Sequence, residues 1–95
     1  MENEIVSIYI PTKNRADYAC RAIKSVLAQD YRPIEIVVVD DGSDAENYEK
    51  ISKFVSVHPE VLLLRNKISQ GAPSARNLAI LQAKGSFITG LDDDD

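Results

Sequence analysis

One cysteine, one histidine and no tryptophan stand among the 95 residues. The lone Cys20 excludes a disulfide framework within the chain and points to a reducing compartment. It falls in a helical stretch, where a free cysteine serves as a small buried hydrophobe. His58 precedes Pro59 in a connecting stretch, and no His or Cys partner stands at zinc-ligand spacing. The 11 Lys and Arg form no basic run and the net charge is −4, so nucleic acid and anionic membranes are poor partners. No apolar stretch approaches the roughly 18 residues that a membrane-spanning helix needs. Glu2 and Glu4 stand where a secretory signal would carry basic residues, so no signal peptide is expected. Also missing are GxxxxGK followed by Ser or Thr, and GxGxxG after the first strand. The P-loop and the dinucleotide fingerprint are thereby set aside.

What is present is a modest core in short blocks. With 44% hydrophobic residues the chain can fill one small interior. The β-branched run over 5–10 reads as a buried strand ended by Pro11. Ala19, Ala22, Ile23, Val26 and Leu27 follow at helical spacing, predicting a helix over 15–29 with Asn14 or Asp17 as its cap. "IEIVVV" over 34–39 is the second strand, and it runs into Asp40-Asp41-Gly42-Ser43, which is turn chemistry. A second helix is expected over 45–56, a third strand over 61–64 and a polar loop over 66–71. Pro73 suits the first turn of a third helix, which Gly85 stops, and 87–91 is the fourth strand. The order βαβαβαβ, with short connections, predicts an α/β, Rossmann-like unit. It has a mostly parallel four-stranded sheet and helices on both faces.

The acids are unevenly placed. Nine of the 15 are Asp, and six of those nine sit at 40–41 and 92–95, both at carboxyl ends of predicted strands. Ligands of open α/β sheets bind in the crevice outside those ends. Pro11, Thr12, Lys13 and Arg15 reach the same edge from the first strand, and Arg76 reaches it from the third helix. Clustered carboxylates repel, and a divalent cation removes that penalty. Mg²⁺ or Mn²⁺ takes oxygen ligands, commonly one or two carboxylates plus substrate phosphates. Asp92 and Asp94 are an i, i+2 pair that an extended strand would point to one face. Without metal and nucleotide the stretch 92–95 is expected to fray, because the sequence shows nothing to offset its repulsion.

Five pieces then occur in a familiar order: Ile10-Pro11-Thr12, Ser25-Val26-Leu27-Ala28-Gln29, Val39-Asp40-Asp41-Gly42-Ser43, Ser74-Ala75-Arg76-Asn77, and Asp-x-Asp at Asp92 and Asp94. Together they resemble the nucleotide-binding half of the family 2 inverting GT-A glycosyltransferases, across essentially all 95 residues. The resemblance implies a donor site for a nucleotide-diphosphate sugar, UDP-linked, serving polysaccharide biosynthesis. Pro11 and Thr12 would line the nucleotide pocket, with Lys13 and Arg15 beside them. Asp41 would accept a hydrogen bond from the base, such as uracil N3–H, and Asp40 would orient Asp41 or contact the ribose. Arg76 would lie near the base or phosphates, Asp92 would lean toward the ribose, and Asp94 with Asp92 would hold Mn²⁺ or Mg²⁺. Asp93 and Asp95 receive no role. Lys13 departs from the family, which often carries an aromatic residue there. It cannot stack on a base in that way, though it can meet a phosphate.

The resemblance also implies a missing piece. The family's general base is a carboxylate downstream of Asp-x-Asp, in the acceptor half, so no catalytic residue is expected within 1–95. The stretch 1–95 is thus expected to be the nucleotide-sugar-binding part of a GT-A domain, truncated before its acceptor part. It should be inactive alone, with an unassigned glycan, lipid or protein acceptor. A cytoplasmic location is expected, with any anchor to the cytoplasmic face of a membrane lying elsewhere in the protein. The alternative is a receiver-type Mg-binding phosphoacceptor domain. It needs its acidic pair after the first strand and an Asp after the third. Here the pair follows the second strand, and the third ends in Arg65-Asn66.

Overall fold

The computed structural model describes residues 5–30, 33–85 and 87–93. Its elements alternate: β1 (Val6–Thr12), α1 (Ala16–Leu27), β2 (Ile34–Asp41), α2 (Ala45–Val55), β3 (Val61–Asn66), α3 (Ala72–Gln82) and β4 (Phe87–Gly90). The four strands form one sheet in the order β3-β2-β1-β4, with every neighbour parallel. The predicted architecture is therefore the observed one.

Period-2 alternation in β2 builds both sides of the core. Ile34, Ile36 and Val38 face the cluster made with Ala16, Ala19, Ala22, Ile23 and Val26 of α1 and Ile51 of α2. Val37 and Val39 face Ala75 and Ala79 of α3. Covered on both faces, β2 has no place for polar alternation, which explains its continuous apolar run. Burial of each Ile or Val among them stabilises the fold by roughly 1.5–3 kcal/mol.

Two sequence expectations are corrected. Pro11 does not end β1; it pairs with Val39 inside the strand. Its neighbour β4 has left by then, since the last β1–β4 pair is Tyr9↔Gly90. Tyr9 O accepts from Leu91 N on that side, so Pro11, two residues on, turns its missing N–H to the same unpaired side. Neither Asn14 nor Asp17 caps α1. The Ala16 N–H donates instead to Asn47 Oδ1 of α2, at 3.0 Å.

Asn14 has another task. It takes a left-handed conformation, with φ 54°, which Asn tolerates. Its N–H donates to Ser43 Oγ, and its Oδ1 accepts from the Asp44 N–H, both at 2.8 Å. Asp44 in turn caps α2 by accepting from the Asn47 N–H at 2.9 Å. These bonds lock the β1–α1 and β2–α2 loops together at one edge of the sheet.

Gly42 follows β2 at φ 85°, and a Cβ there would stand 2.7 Å from Ser69 N. Both the dihedral and the close backbone exclude a side chain. Gly42→Ala is expected to destabilise the fold by about 2 kcal/mol. That lowers the thermal midpoint by on the order of 10 °C in a calorimetric or circular-dichroism melt. An unchanged midpoint would show that the Ser69 segment does not sit against Gly42.

Candidate nucleotide and metal site

The strand order reverses between β1 and β4, and two adjoining clefts open there, at the carboxyl edge where such sheets bind ligands. The first, about 360 Å³, is lined by Tyr9, Pro11, Ala72, Pro73, Arg76, Gly90, Leu91 and Asp92. The second, about 350 Å³, is lined by Pro11, Thr12, Lys13, Arg15, Asp41, Ala72, Ala75 and Asp93. Pro11 and Ala72 belong to both, so the clefts share a wall. Of the expected site residues, Pro11, Thr12, Lys13, Arg15, Asp41, Arg76 and Asp92 line these clefts together. Asp94 lies outside the described residues.

Asp40 and Asp41 are neighbours with opposite fates. Asp41 points to the α3 side, and its carboxylate is filled by Asn66 at the end of β3 and by the loop that follows. Oδ1 accepts from Asn66 Nδ2 at 3.0 Å and Gln70 N at 2.8 Å; Oδ2 accepts from Ser69 Oγ at 2.8 Å and Gly71 N at 2.9 Å. Desolvation pushes its pKa up, but hydrogen bonds from Gln70, Asn66, Ser69 and Gly71 outweigh it and hold the group at about 2, against an ordinary 3.8.

Asp40, one residue earlier on the strand, points to the other face and is fully buried. Its Oδ2 lies 3.4 Å from Arg65 Nε, and it lines neither cleft. The expected ribose contact by Asp40 is thus corrected: alternation along β2 turns it away from the ligand edge. Arg65 also stacks over Tyr48 at 4.0 Å and donates to Ser43 O at 3.3 Å. Arg65 and Asn66 therefore end β3 as partners of the two Asp. The receiver-type alternative needs a carboxylate at that place.

The acidic turn after β4 is better anchored than its charge implies. Asp93 is buried, with Oδ2 accepting from Thr12 Oγ1 at 2.9 Å and Oδ1 bonded to Arg15 Nη1 at 2.8 Å. A cation and a hydroxyl offset the repulsion there, so the expectation of fraying fails for Asp93. Asp92 is exposed on the wall of the first cleft.

Among the described residues no three of His, Cys, Asp and Glu gather to hold a metal. One exposed Asp beside a cleft fits an ion held by one or two carboxylates and completed by ligand phosphates and water. It does not fit a closed protein cage. Asn66, Ser69, Gln70 and Asp93 escape a sequence reading, because polar residues in loops look alike until the fold aims them.

Residues 7–95 match the family model described as Glycosyl transferase family 2. WcaA of Escherichia coli K12, a glycosyl transferase named for colanic acid biosynthesis, is 46% identical over 95 residues, covering 98% of this chain and 33% of that protein. The Escherichia coli protein named UDP-Glc:alpha-D-GlcNAc-diphosphoundecaprenol beta-1,3-glucosyltransferase WfaP is 37% identical over 92 residues, covering 97% of this chain and 36% of its own. Among solved structures, the mannosyltransferase PcManGT of Pyrobaculum calidifontis, in complex with GDP-Man and Mn2+, superposes with a TM-score of 0.87. That match has 26% identity and covers 98% of this chain and 28% of that one. The chain spans about a third of the length of these two curated relatives.

The Asp41 bonds contribute to the acid behaviour. A carboxyl whose pKa falls from 3.8 to about 2 on folding adds stability that is fully present above pH 4 and lost as pH drops through 2. Asp41→Asn is expected to flatten this acid limb between about pH 4 and 2 in urea unfolding series, as the linkage relation requires. An unchanged limb would mean that the loop does not bond the carboxylate.

Proposed function

The chain belongs to glycosyl transferase family 2, and from that premise we propose that it binds the donor for sugar transfer. The donor is a nucleotide-diphosphate sugar, UDP-linked, whose sugar passes to an acceptor hydroxyl with inversion. The carrying observation is the convergence of the 11–15 loop, the start of α3 with Arg76, and Asp92 on two joined clefts at the switch point of the sheet.

Each wall has a chemical task. Arg76 and the N-terminal end of α3 offer positive charge to the diphosphate. Lys13 and Arg15 add cations from the β1–α1 loop, and Pro11 and Thr12 shape the wall for the nucleoside. Asp41 stands in the second cleft as the acceptor for a base N–H. Its lone pairs already serve four donors, so a base would displace one of them. Asp92, with Asp94 two residues on, would hold Mn²⁺ or Mg²⁺. Such an ion supplies positive charge to the leaving nucleoside diphosphate. The relative named for its UDP-Glc donor and the neighbour holding GDP-Man and Mn2+ support this class of ligand.

No general base or acceptor contact is assigned within 1–95, which spans 33% and 36% of the two relatives WcaA and WfaP. Polysaccharide assembly in the cytoplasm fits both the relative named for colanic acid biosynthesis and the single unpaired thiol, Cys20. Among the described residues no helix is long and apolar enough to cross a membrane.

Titration calorimetry of the intact protein tests the reading. UDP is expected to bind about tenfold tighter with Mn²⁺ than with EDTA. Asp92→Asn should remove most of that gain, and Arg76→Ala should weaken UDP by about tenfold while leaving uridine unchanged. Equal UDP affinity in Mn²⁺ and EDTA would overturn the metal assignment, and no UDP binding at millimolar concentration would overturn the donor assignment.

A further inference from the structure

We infer that Asp93, the middle residue of the acidic turn, is a positioning residue. Its buried carboxylate clasps Thr12 and Arg15, so that the donor loop and the metal-binding turn move as one piece. The inference rests on the donor-site reading and assigns Asp93 a task distinct from that of the flanking carboxylates.

Strands β1 and β4 are paired only as far as Tyr9↔Gly90, followed by one bond from Leu91 N to Tyr9 O. Beyond that point, among the described residues, no backbone ladder joins the two chain segments. Three residues further along each of them, Thr12 and Asp93 meet again through side chains at 2.9 Å. Arg15 closes the same contact from the start of α1 at 2.8 Å, with its guanidinium also near the Tyr18 ring at 5.7 Å. The carboxylate thus replaces the ladder at the very edge where the ligand is proposed to bind.

Chemistry separates Asp93 from its neighbour. Asp92 faces the first cleft and is exposed, whereas Asp93 is 7% exposed and has one oxygen on each partner. A carboxylate held by a hydroxyl and a guanidinium is a poor candidate for a metal ion, which would have to displace both. It is a good hinge pin. A buried charge with two bonded partners fixes both of them, and loss of the Arg15 guanidinium takes away its opposite charge. Thr12 and Arg15 both line the second cleft, and Asp92 lines the first. A ligand ordering the loop therefore orders the acidic turn through Asp93, and an ion ordering the turn also orders the loop. Nucleotide and metal are coupled through this one side chain.

The test is a set of binding measurements on the intact protein: wild type, Asp93→Asn, Arg15→Gln and the double variant. Each is titrated with UDP in EDTA, with Mn²⁺ alone followed by the Mn²⁺ spin-resonance signal, and with UDP in Mn²⁺. Asp93→Asn keeps the volume and can still accept from Thr12, and melting curves check that each variant is folded. The clasp predicts that Asp93→Asn leaves Mn²⁺ binding without nucleotide within about twofold of wild type. It further predicts that Mn²⁺ strengthens UDP at least fivefold less in this variant. In the size of that Mn²⁺ enhancement the double variant should be no worse than either single one, the non-additivity of residues acting as a pair. Additive losses, or an Mn²⁺ affinity reduced tenfold with UDP in EDTA unchanged, would overturn the clasp and make Asp93 an independent group or a ligand. If Asp93→Asn melts earlier yet keeps the full Mn²⁺ enhancement, the bond is structural only and the coupling falls. Wild type that binds no UDP under any condition would bring down the donor-site reading and this inference together.

Discussion

Four donors, one from Asn66 at the end of β3 and three from Ser69, Gln70 and Gly71 of the loop that follows, converge on the two oxygens of Asp41, and the shape of the ligand edge follows from that convergence. The loop carries Gly71, from which α3 starts, so anchoring it fixes the origin of the helix that walls both clefts. It also brings the backbone at Ser69 against Gly42, which then can carry no side chain. Exchange of protein donors for water would be open to a neutral side chain as well. A carboxylate holding four donors is stronger, because charge-assisted bonds are shorter and roughly twice as strong as neutral ones.

Around that anchor the other end of the sheet is secured by different means. Glu35 Oε1 accepts from Ser7 Oγ at 2.7 Å and from Lys84 N at 2.9 Å, and Ser7 Oγ accepts from Gly85 N at 2.9 Å. These bonds tie the α3–β4 connection to β1 and β2 at the edge remote from the clefts. A Cβ at Gly90 would fall 2.6 Å from Tyr9 Cζ, so the absent side chain leaves room for the ring in the floor of the first cleft. The site is thus framed from both ends of the same four strands.

Much of this was legible in the sequence, and the reason is periodicity. The run "IEIVVV" reads as a strand covered on both faces, and "VLLL" as a further strand beside it. The helices between them dictated parallel pairing, and parallel pairing dictated the ligand edge. What stayed hidden was direction. Asp40 and Asp41 look equivalent as letters, yet alternation sends one to Arg65 in the interior and the other to the loop over the cleft. Pro11 looks like a strand breaker until β4 is seen to leave before it. The cap of α1 comes from Asn47, 31 positions away, and no local rule reaches that far. In the acidic turn the pattern drew attention to the alternate residues 92 and 94, while the described geometry singles out Asp93.

The bond between Thr12 and Asp93 spans 81 positions, nearly the length of the described chain. That separation has a consequence for the order of assembly. Contacts so distant in sequence repay their loop-closure entropy only after the intervening elements have docked. The first three strands can pair as the chain is made, since each follows its neighbour through a single helix. The ligand edge cannot be completed with them. It closes only when β4 has settled beside β1, so a nascent or partly unfolded chain holds most of its core before it owns a finished binding site.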